Sequence, residues 1–415
     1  MYKIIEDVFT LKRLIKDESK LLPEYVPPSL PHREEHLRRL AEIFKIVIET
    51  KGKTFQKAML TGETGTGKTA VAKRFGQSVI DYATHKGLKL KYIHINCHKD
   101  RTLFLITRKM VQEICPELPK RGFSPFELLA MIHDYLNSHT MHAIITLDEA
   151  DFLIPKSGED LIYDLIRLAD EKLNEPQRIS IILISRKTNI LYELDKTTVS
   201  TLLHNTIRFE PYTSTQLRDI LNARIIETFY PGVVSEEAIE LISDMVSAPY
   251  ESGHRGDARY ALGLLWKAAK IAERLNAIRV LPEHVRMARA EGTISIEDIQ
   301  NLQLHEKLIL LSVAKALRKK QTAYITMGEV EDEYIQLCAL WSQDPRKHTQ
   351  VYMYIQNLKN IGVINTKISG SGYRGKTTLI GLVDAPAEAI EKELIKIITN
   401  EVNKQVTRGR RLDKH

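Results

Sequence analysis

The chain has 415 residues, 43% of them apolar and 27% charged, and 60 Lys+Arg against 53 Asp+Glu give a net charge of +7. That apolar fraction supplies real cores and excludes a disordered, collagen-like or mucin-like chain, and the length predicts about two to four domains. No apolar run reaches the ~18 residues of a membrane span, the acidic start lacks the order of a secretion signal, and three scattered cysteines (Cys97, Cys115, Cys338) point to a reducing cytoplasm and away from a metal cluster.

In chain order, a helical pattern from Arg33 to Ile48 precedes a short apolar run, Ala58–Gly62. Similar runs recur at Lys91–Ile95, Ala143–Leu147, Ile179–Ile184 and Thr206–Phe209, with helical patterns filling most of the intervals. Strands alternating with helices predict an α/β domain, a mostly parallel sheet with helices on both faces. The alternation stops at Pro211-Tyr212. From Thr213 to about residue 290 the pattern is helical only. Thr213 and Gln216 have capping-box spacing, and Leu217, Ile220, Leu221 and Ile225 form an apolar stripe. Further helices are predicted over Ala238–Val246, Arg259–Leu275 and from Pro282. Beyond Glu291 come helices carrying Leu304, Leu308, Leu311 and Ala314, then from about Gly328 to Trp341, then from about Lys347 to Ile361. Two strand-like runs, Val363–Ile368 and Thr377–Val383, a helix over Ala387–Val402 and a basic tail follow. The domains are therefore expected at 1–212, 213–292 and 293–415.

The segment Gly62-Glu-Thr64-Gly65-Thr66-Gly67-Lys68-Thr69 matches the phosphate-loop pattern G-x-x-x-x-G-K-[ST] without a mismatch, after a strand and opening a helix. Glycines let backbone N–H groups face phosphates, and the helix N-terminus adds partial positive charge. Lys68 is expected to reach the β- and γ-phosphates and the Thr69 hydroxyl to hold Mg²⁺. About eighty residues on, by the usual spacing of such sites, an apolar strand ends in Asp148-Glu149. Asp148 is the expected second Mg²⁺ residue, and Glu149 the one that orients or deprotonates the attacking water. In the helical domain, Asp257 reads as an N-cap that places Arg259 in the first turn, within reach of a phosphate.

The order helix–helix–helix–strand–wing–strand in the last domain looks like a winged helix. Val351, Tyr354, Ile355, Leu358 and Ile361 form the inward stripe of its third helix, turning Gln350, Met353, Gln356 and Asn357 outward. Arg346, Lys347, His348, Thr349 and Gln350 form a polar, basic start able to enter a major groove, and the wing tip offers Tyr373, Arg374 and Lys376 to a minor groove or phosphates. From Ser342 to Thr378 six Lys/Arg (Arg346, Lys347, Lys359, Lys367, Arg374, Lys376) face one acid, Asp344, and Asn403–His415 adds five more against Asp413. The chain's positive charge is thus concentrated in these two stretches.

Taken together, these residues resemble an AAA+ ATPase, and more narrowly the ORC/Cdc-type DNA replication initiators of archaeal type. The resemblance runs over nearly the whole chain and rests on Leu22–Glu34, the phosphate loop, the acid pair, Gly256-Asp257-Ala258-Arg259 and the winged helix in that order. It implies an AAA+ base, an all-α lid and a C-terminal winged helix, with ATP/ADP and Mg²⁺ as cofactors. It further implies that Tyr25, Val26, Pro27, His32 and Arg33 line the adenine side, and that Tyr212, Arg224 and Arg259 contact nucleotide. A DNA-touching insertion would fall at about residues 102–126, including Lys109, Lys120 and Arg121. Arg186 stands where the family usually has a first-sensor Asn, and Leu194–Ser200, where a finger arginine is usual, contains no Arg. These departures imply weak ATPase activity, a slow switch instead of a motor. The implied partners are double-stranded origin DNA, paralogous initiator subunits and the replicative helicase, in the cytoplasm on the chromosome and with no membrane. Two alternatives stay open on sequence alone: a motor-type AAA+ ATPase, and a nucleotide-gated signalling ATPase whose winged helix makes protein contacts.

Overall fold

The computed structural model describes residues 13–117, 122–153, 175–186, 202, 204–248, 254–289, 302–370, 376–383 and 385–412, with side chains up to residue 402. The chain forms two compact units, one built from residues 24–216 and 249–258, the other from 1–23, 217–248 and 259–415.

The first unit is organised by five parallel strands, β1 (Lys57–Gly62), β2 (Lys89–Asn96), β3 (Met141–Asp148), β4 (Ile179–Ser185) and β5 (Thr206–Phe209), in the order β2-β3-β4-β1-β5. Alternate residues of each strand feed two separate cores. Ala58, Leu60, Ile144, Ile182 and Ile184 pack against α1 (Glu34–Glu49) and α2 (Lys68–His85). Met59, Ala143, Ile145, Leu147, Ile181 and Leu183 pack with Ile106, Met110 and Val111 of α3 (Leu103–Ile114) and Leu128 and Ile132 of α4 (Pro125–Ser138). Burial on both faces is why these strands read as unbroken apolar runs. It also makes α3, within the stretch expected to touch DNA, a core helix whose Lys109 pairs with Asp100 at 3.4 Å. Lys120 and Arg121 lie outside the described residues.

The second unit combines lid and winged helix. The lid helices are α5 (Ser214–Thr228), α6 (Glu236–Ser247), α7 (Ala258–Arg274) and α8 (Pro282–Arg289). The capping box expected at Thr213 and Gln216 forms, each residue's side chain accepting the other's backbone N–H at 3.3 and 3.1 Å. An N-terminal strap that the sequence did not signal is fastened to the lid. Glu273 Oε1 accepts the backbone N–H of Leu14 at 2.8 Å, and Glu18 takes Trp266 Nε1 at 2.6 Å and Lys270 Nζ at 2.9 Å.

In the winged helix, α9 (Leu304–Lys320) is buried nearly all round by α10 (Met327–Leu340), α11 (His348–Ile361) and α12 (Ala387–Leu412). The sheet has three antiparallel strands, β6 (Ile325–Thr326), β7 (Ile364–Ile368) and β8 (Thr378–Leu382), in the order β6-β8-β7. The expected strands are β7 and β8; the two-residue β6 is too short to leave a pattern.

Lid and winged helix are bonded directly. Lys367 Nζ on β7 reaches Glu240 Oε1 at 2.7 Å and Asp244 Oδ2 at 2.6 Å, and Tyr324 donates its hydroxyl to Asp244 at 2.9 Å. The fully buried Arg286 donates to the carbonyls of Thr322 and Ala323 at 3.2 and 3.0 Å. Lys367, expected on the basic reading surface, is therefore neutralised by lid acids. The three cysteines are buried and unpaired, and no helix among the described residues is long and apolar enough to cross a membrane.

Candidate nucleotide site and nucleic-acid face

The phosphate loop joins the end of β1 to the start of α2. Gly65 and Gly67 adopt φ +71° and +95°, a region that L side chains avoid. Lys68, buried at the first turn of α2, donates to the carbonyls of Gly62 at 2.7 Å and Glu63 at 2.6 Å. Thr66 is buried beside it, and Thr64 is exposed.

Arg33 caps α1 and ties this loop to the end of the sheet. Its Nε donates to the Thr66 carbonyl at 2.8 Å and its Nη2 to the Glu210 carbonyl at 2.8 Å, and the guanidinium lies 3.8 Å from the Tyr212 ring centroid. Burial lowers its pKa from the ordinary value and, despite the opposing pull of Arg33, pushes Tyr212 up to about 12. A β-carbon on Gly67 would stand 2.7 Å from the Tyr212 hydroxyl. Tyr25 and Val26 are half-buried, Pro27 is buried and His32 is exposed at φ 64°.

The segment leading into α7 belongs to the same unit as the loop and is seated on it. Ala258 N donates to the Gly65 carbonyl at 3.1 Å, and Tyr212 N donates to the Gly256 carbonyl at 3.2 Å. Arg224 and Arg259 stand in the second unit. Arg224 is buried and donates to the Lys20 carbonyl, whereas Arg259 is exposed.

Across the sheet, Thr69 Oγ1 donates to Asp148 Oδ2 at 2.8 Å, bringing the two expected Mg²⁺ residues together. Burial works to raise the Asp148 pKa, but hydrogen bonds from His94, Thr69 and the Glu149 backbone outweigh it and lower it below the usual carboxylate value. Two oxygen donors, one a carboxylate held ionised, fit a hard divalent cation, and the loop glycines at a helix N-terminus fit phosphates.

Three residues here were not found from sequence. His94 Nε2 lies 3.0 Å from Asp148 Oδ2, Asn96 Nδ2 donates to Glu149 Oε2 at 3.2 Å, and Asp151 accepts the Arg186 N–H at 2.8 Å. The available signal was the alternation on β2, where Tyr92, His94 and Asn96 share one face against Ile93 and Ile95; its meaning depends on the register that sets Asn96 beside Asp148. Arg186, noted as a departure, places Nη2 3.3 Å from Glu149 Oε1.

On the winged helix, Arg346, Lys347, His348, Thr349 and Gln350 are all exposed around the start of α11. His348 pairs with Glu331, and Gln350 Nε2 approaches the Tyr354 hydroxyl at 3.4 Å. Asn357, read as outward-facing, donates to Glu306 at 2.6 Å. Lys376 is exposed, and Tyr373 and Arg374 lie outside the described residues.

Known families match the chain segment by segment. Family models described as AAA domain, Cdc6 AAA+ ATPase-type lid domain, and CDC6, C terminal winged helix domain match residues 52–190, 218–290 and 297–392. The ORC1-type DNA replication protein 2 of Saccharolobus solfataricus is 39% identical over 376 residues, covering 89% of this chain and 90% of that protein. Among solved structures, Cdc6p from Pyrobaculum aerophilum superposes with a TM-score of 0.81 at 30% identity, covering 94% of this chain and all of the other (100%). The Aeropyrum pernix ORC1 protein in complex with DNA gives 0.59 at 33% identity, covering 93% and 98%. With relatives this similar along both full lengths, a base that carries the phosphate loop, and a lid and winged helix in the family's order, the chain belongs to the ORC1/Cdc6 family of AAA+ DNA replication initiators of archaeal type.

Proposed function

We propose that this chain is an ATP/ADP-gated initiator that binds double-stranded origin DNA and helps recruit or load the replicative helicase, alongside paralogous subunits and on the chromosome in the cytoplasm. Lys68, the loop amides and Thr69 bind the nucleotide phosphates, with Thr69 and Asp148 holding Mg²⁺, which supplies charge neutralisation at the phosphates when bound. Tyr25, Val26, Pro27 and His32 flank the base, while Arg33 and Tyr212 brace the loop. Arg224 and Arg259 act from the lid side. Glu149 orients or deprotonates the attacking water. Arg346, Lys347, Thr349 and Gln350, with Tyr373, Arg374 and Lys376 of the wing, contact DNA. Turnover stays below about one per second, because an arginine finger can contribute ~10³–10⁵ and Leu194–Ser200 offers none.

The observation that carries this reading is the seat of Ala258 on Gly65. The first residue of a lid helix is hydrogen-bonded to the phosphate loop at 3.1 Å, and the lid is bonded to the winged helix through Lys367, Tyr324 and Arg286. Ala258 continues directly into α7, so a change in the loop on phosphate binding would act first on the chain segment that leads into the lid helix. Footprinting on chromosomal DNA fragments with ATP, with ADP, and with Lys68→Ala tests it. Protection whose extent differs between ATP and ADP is expected; identical footprints in all three conditions would sink the switch, and no protection would sink the DNA reading.

A further inference from the structure

Two residues one turn apart on α10 hold the start of α11. Glu331 pairs with the His348 side chain, and the Tyr334 hydroxyl accepts the Arg346 backbone N–H at 3.2 Å. Tyr334 is only 1% exposed, and His305 Nδ1, on the first turn of α9, lies 2.7 Å from the same hydroxyl. In either tautomer of the histidine, the oxygen keeps a lone pair for Arg346. That bond matters because α11 begins without a capping side chain: Lys347, at its N-cap, makes no such bond. Farther along α11, Asn357 donates to Glu306 at 2.6 Å, and Val351, Ile355 and Leu358 are buried. The body of the helix is therefore held independently of its entry turn. Asp344, Pro345, Arg346 and Lys347 are all exposed, so the turn itself gains little from burial.

We propose, resting on the DNA reading above, that Tyr334 is a positioning residue: supported by His305, it seats the turn ahead of α11 so that Arg346 meets DNA phosphates from a fixed backbone. A guanidinium carried on an unanchored turn must be ordered when the duplex binds, and the entropy of that ordering is subtracted from affinity. Anchored through its own N–H, Arg346 loses only side-chain freedom. Burial, with a smaller effect of the Arg346 charge, lowers the His305 pKa from its ordinary value. The ring is therefore neutral near pH 7 and adds no charge beneath the cation. Tyr334 is too deeply buried to touch DNA and acts through Arg346.

Fluorescence anisotropy with the full chain and a fluorescein-labelled duplex of mixed sequence tests this, over a salt series and with thermal melting of each variant. The variants are Tyr334→Phe, His305→Leu, His305→Asn and Arg346→Ala, each alone, and Tyr334→Phe in the Arg346→Ala background. Tyr334→Phe keeps the ring and removes the acceptor. It should weaken duplex binding about fivefold at the parental salt slope, because the Arg346 contact still forms at a greater ordering cost. In the Arg346→Ala background it should weaken binding no further. His305→Leu should match Tyr334→Phe. His305→Asn, which keeps a polar atom at the Nδ1 position, should stay within about twofold of the parent. Parental affinity in Tyr334→Phe, beside weakened binding in Arg346→Ala, overturns the seat. An equal loss in both backgrounds also overturns it and makes Tyr334 a structural residue of the winged helix. His305→Asn as weak as His305→Leu overturns the support from His305. If His305→Leu fails to fold, Tyr334→Phe decides. An Arg346→Ala variant that binds like the parent, or a parent chain that fails to bind the duplex, refutes the DNA reading itself, a separate result from failure of the seat.

Discussion

A β-carbon on Gly65 would lie 1.7 Å from Asp257 Oδ1. Gly65→Ala must displace the Asp257 segment from the phosphate loop and also adopt φ +71°, a strain of order 1–3 kcal/mol. ADP affinity measured by calorimetry should fall by about 100-fold or more. Pairing it with Asp257→Gly should recover part of the loss, because the clash goes while the backbone strain stays; no recovery would mean that strain alone matters.

Lys68→Ala removes the cation that this loop directs at its own carbonyls, 2.6 and 2.7 Å away. Nucleotide retention after desalting should be abolished, while duplex affinity measured by fluorescence anisotropy should persist within a few-fold. Loss of both together would place the DNA site on the ATPase base.

Lys367 and Arg346 carry the same charge but should behave oppositely. Arg346→Ala should shallow the salt dependence of duplex binding by about one phosphate equivalent. Lys367→Ala should leave that slope unchanged and lower the melting temperature, since Lys367 bonds Glu240 and Asp244 of the lid. Equal changes in slope would return Lys367 to the DNA surface.

His142 sets a pH dependence of stability. Burial, with a smaller contribution from Arg178 and partly offset by the Gly52 carbonyl, lowers its pKa to about 4. Its ring is held between the Gly52 carbonyl at 3.1 Å and Ser180 Oγ at 2.8 Å. The unfolded chain binds this proton below about pH 6.5 and the folded chain only near pH 4. The neutral-histidine contribution is therefore complete above pH 6.5 and is lost as pH falls toward 4, by on the order of 3 kcal/mol. Urea midpoints measured between pH 7 and pH 4 should fall, and His142→Gln should flatten that slope while lowering the midpoint at pH 7.

Much of the fold is legible because its signals are local. The apolar runs at Ala143–Leu147 and Ile179–Ile184 become β3 and β4, since both sheet faces are buried, and the phosphate loop is contiguous in sequence. What escaped reading depends on pairing between distant residues. Asn96 has no meaning until β2–β3 register places it beside Asp148, and Asp257, legible as an N-cap, does not reveal its seat against Gly65 until the fold brings the two together. A count of charges near the wing could not register that Lys367 answers to Glu240 and Asp244. The strap residue Glu18 gave no signal because its partners, Trp266 and Lys270, lie on a helix far along the chain.

Any coupling carried by the bonds that join lid to winged helix must run in both directions. A coupling free energy has no preferred sender: if exchanging ATP for ADP changes duplex affinity by some factor, the duplex must change the preference between ATP and ADP by the same factor. Under the proposed function, a duplex engaged through Arg346 and Lys347 would be an effector of the nucleotide as much as its target, and the sequence of the DNA would become a variable in how long the chain retains ADP.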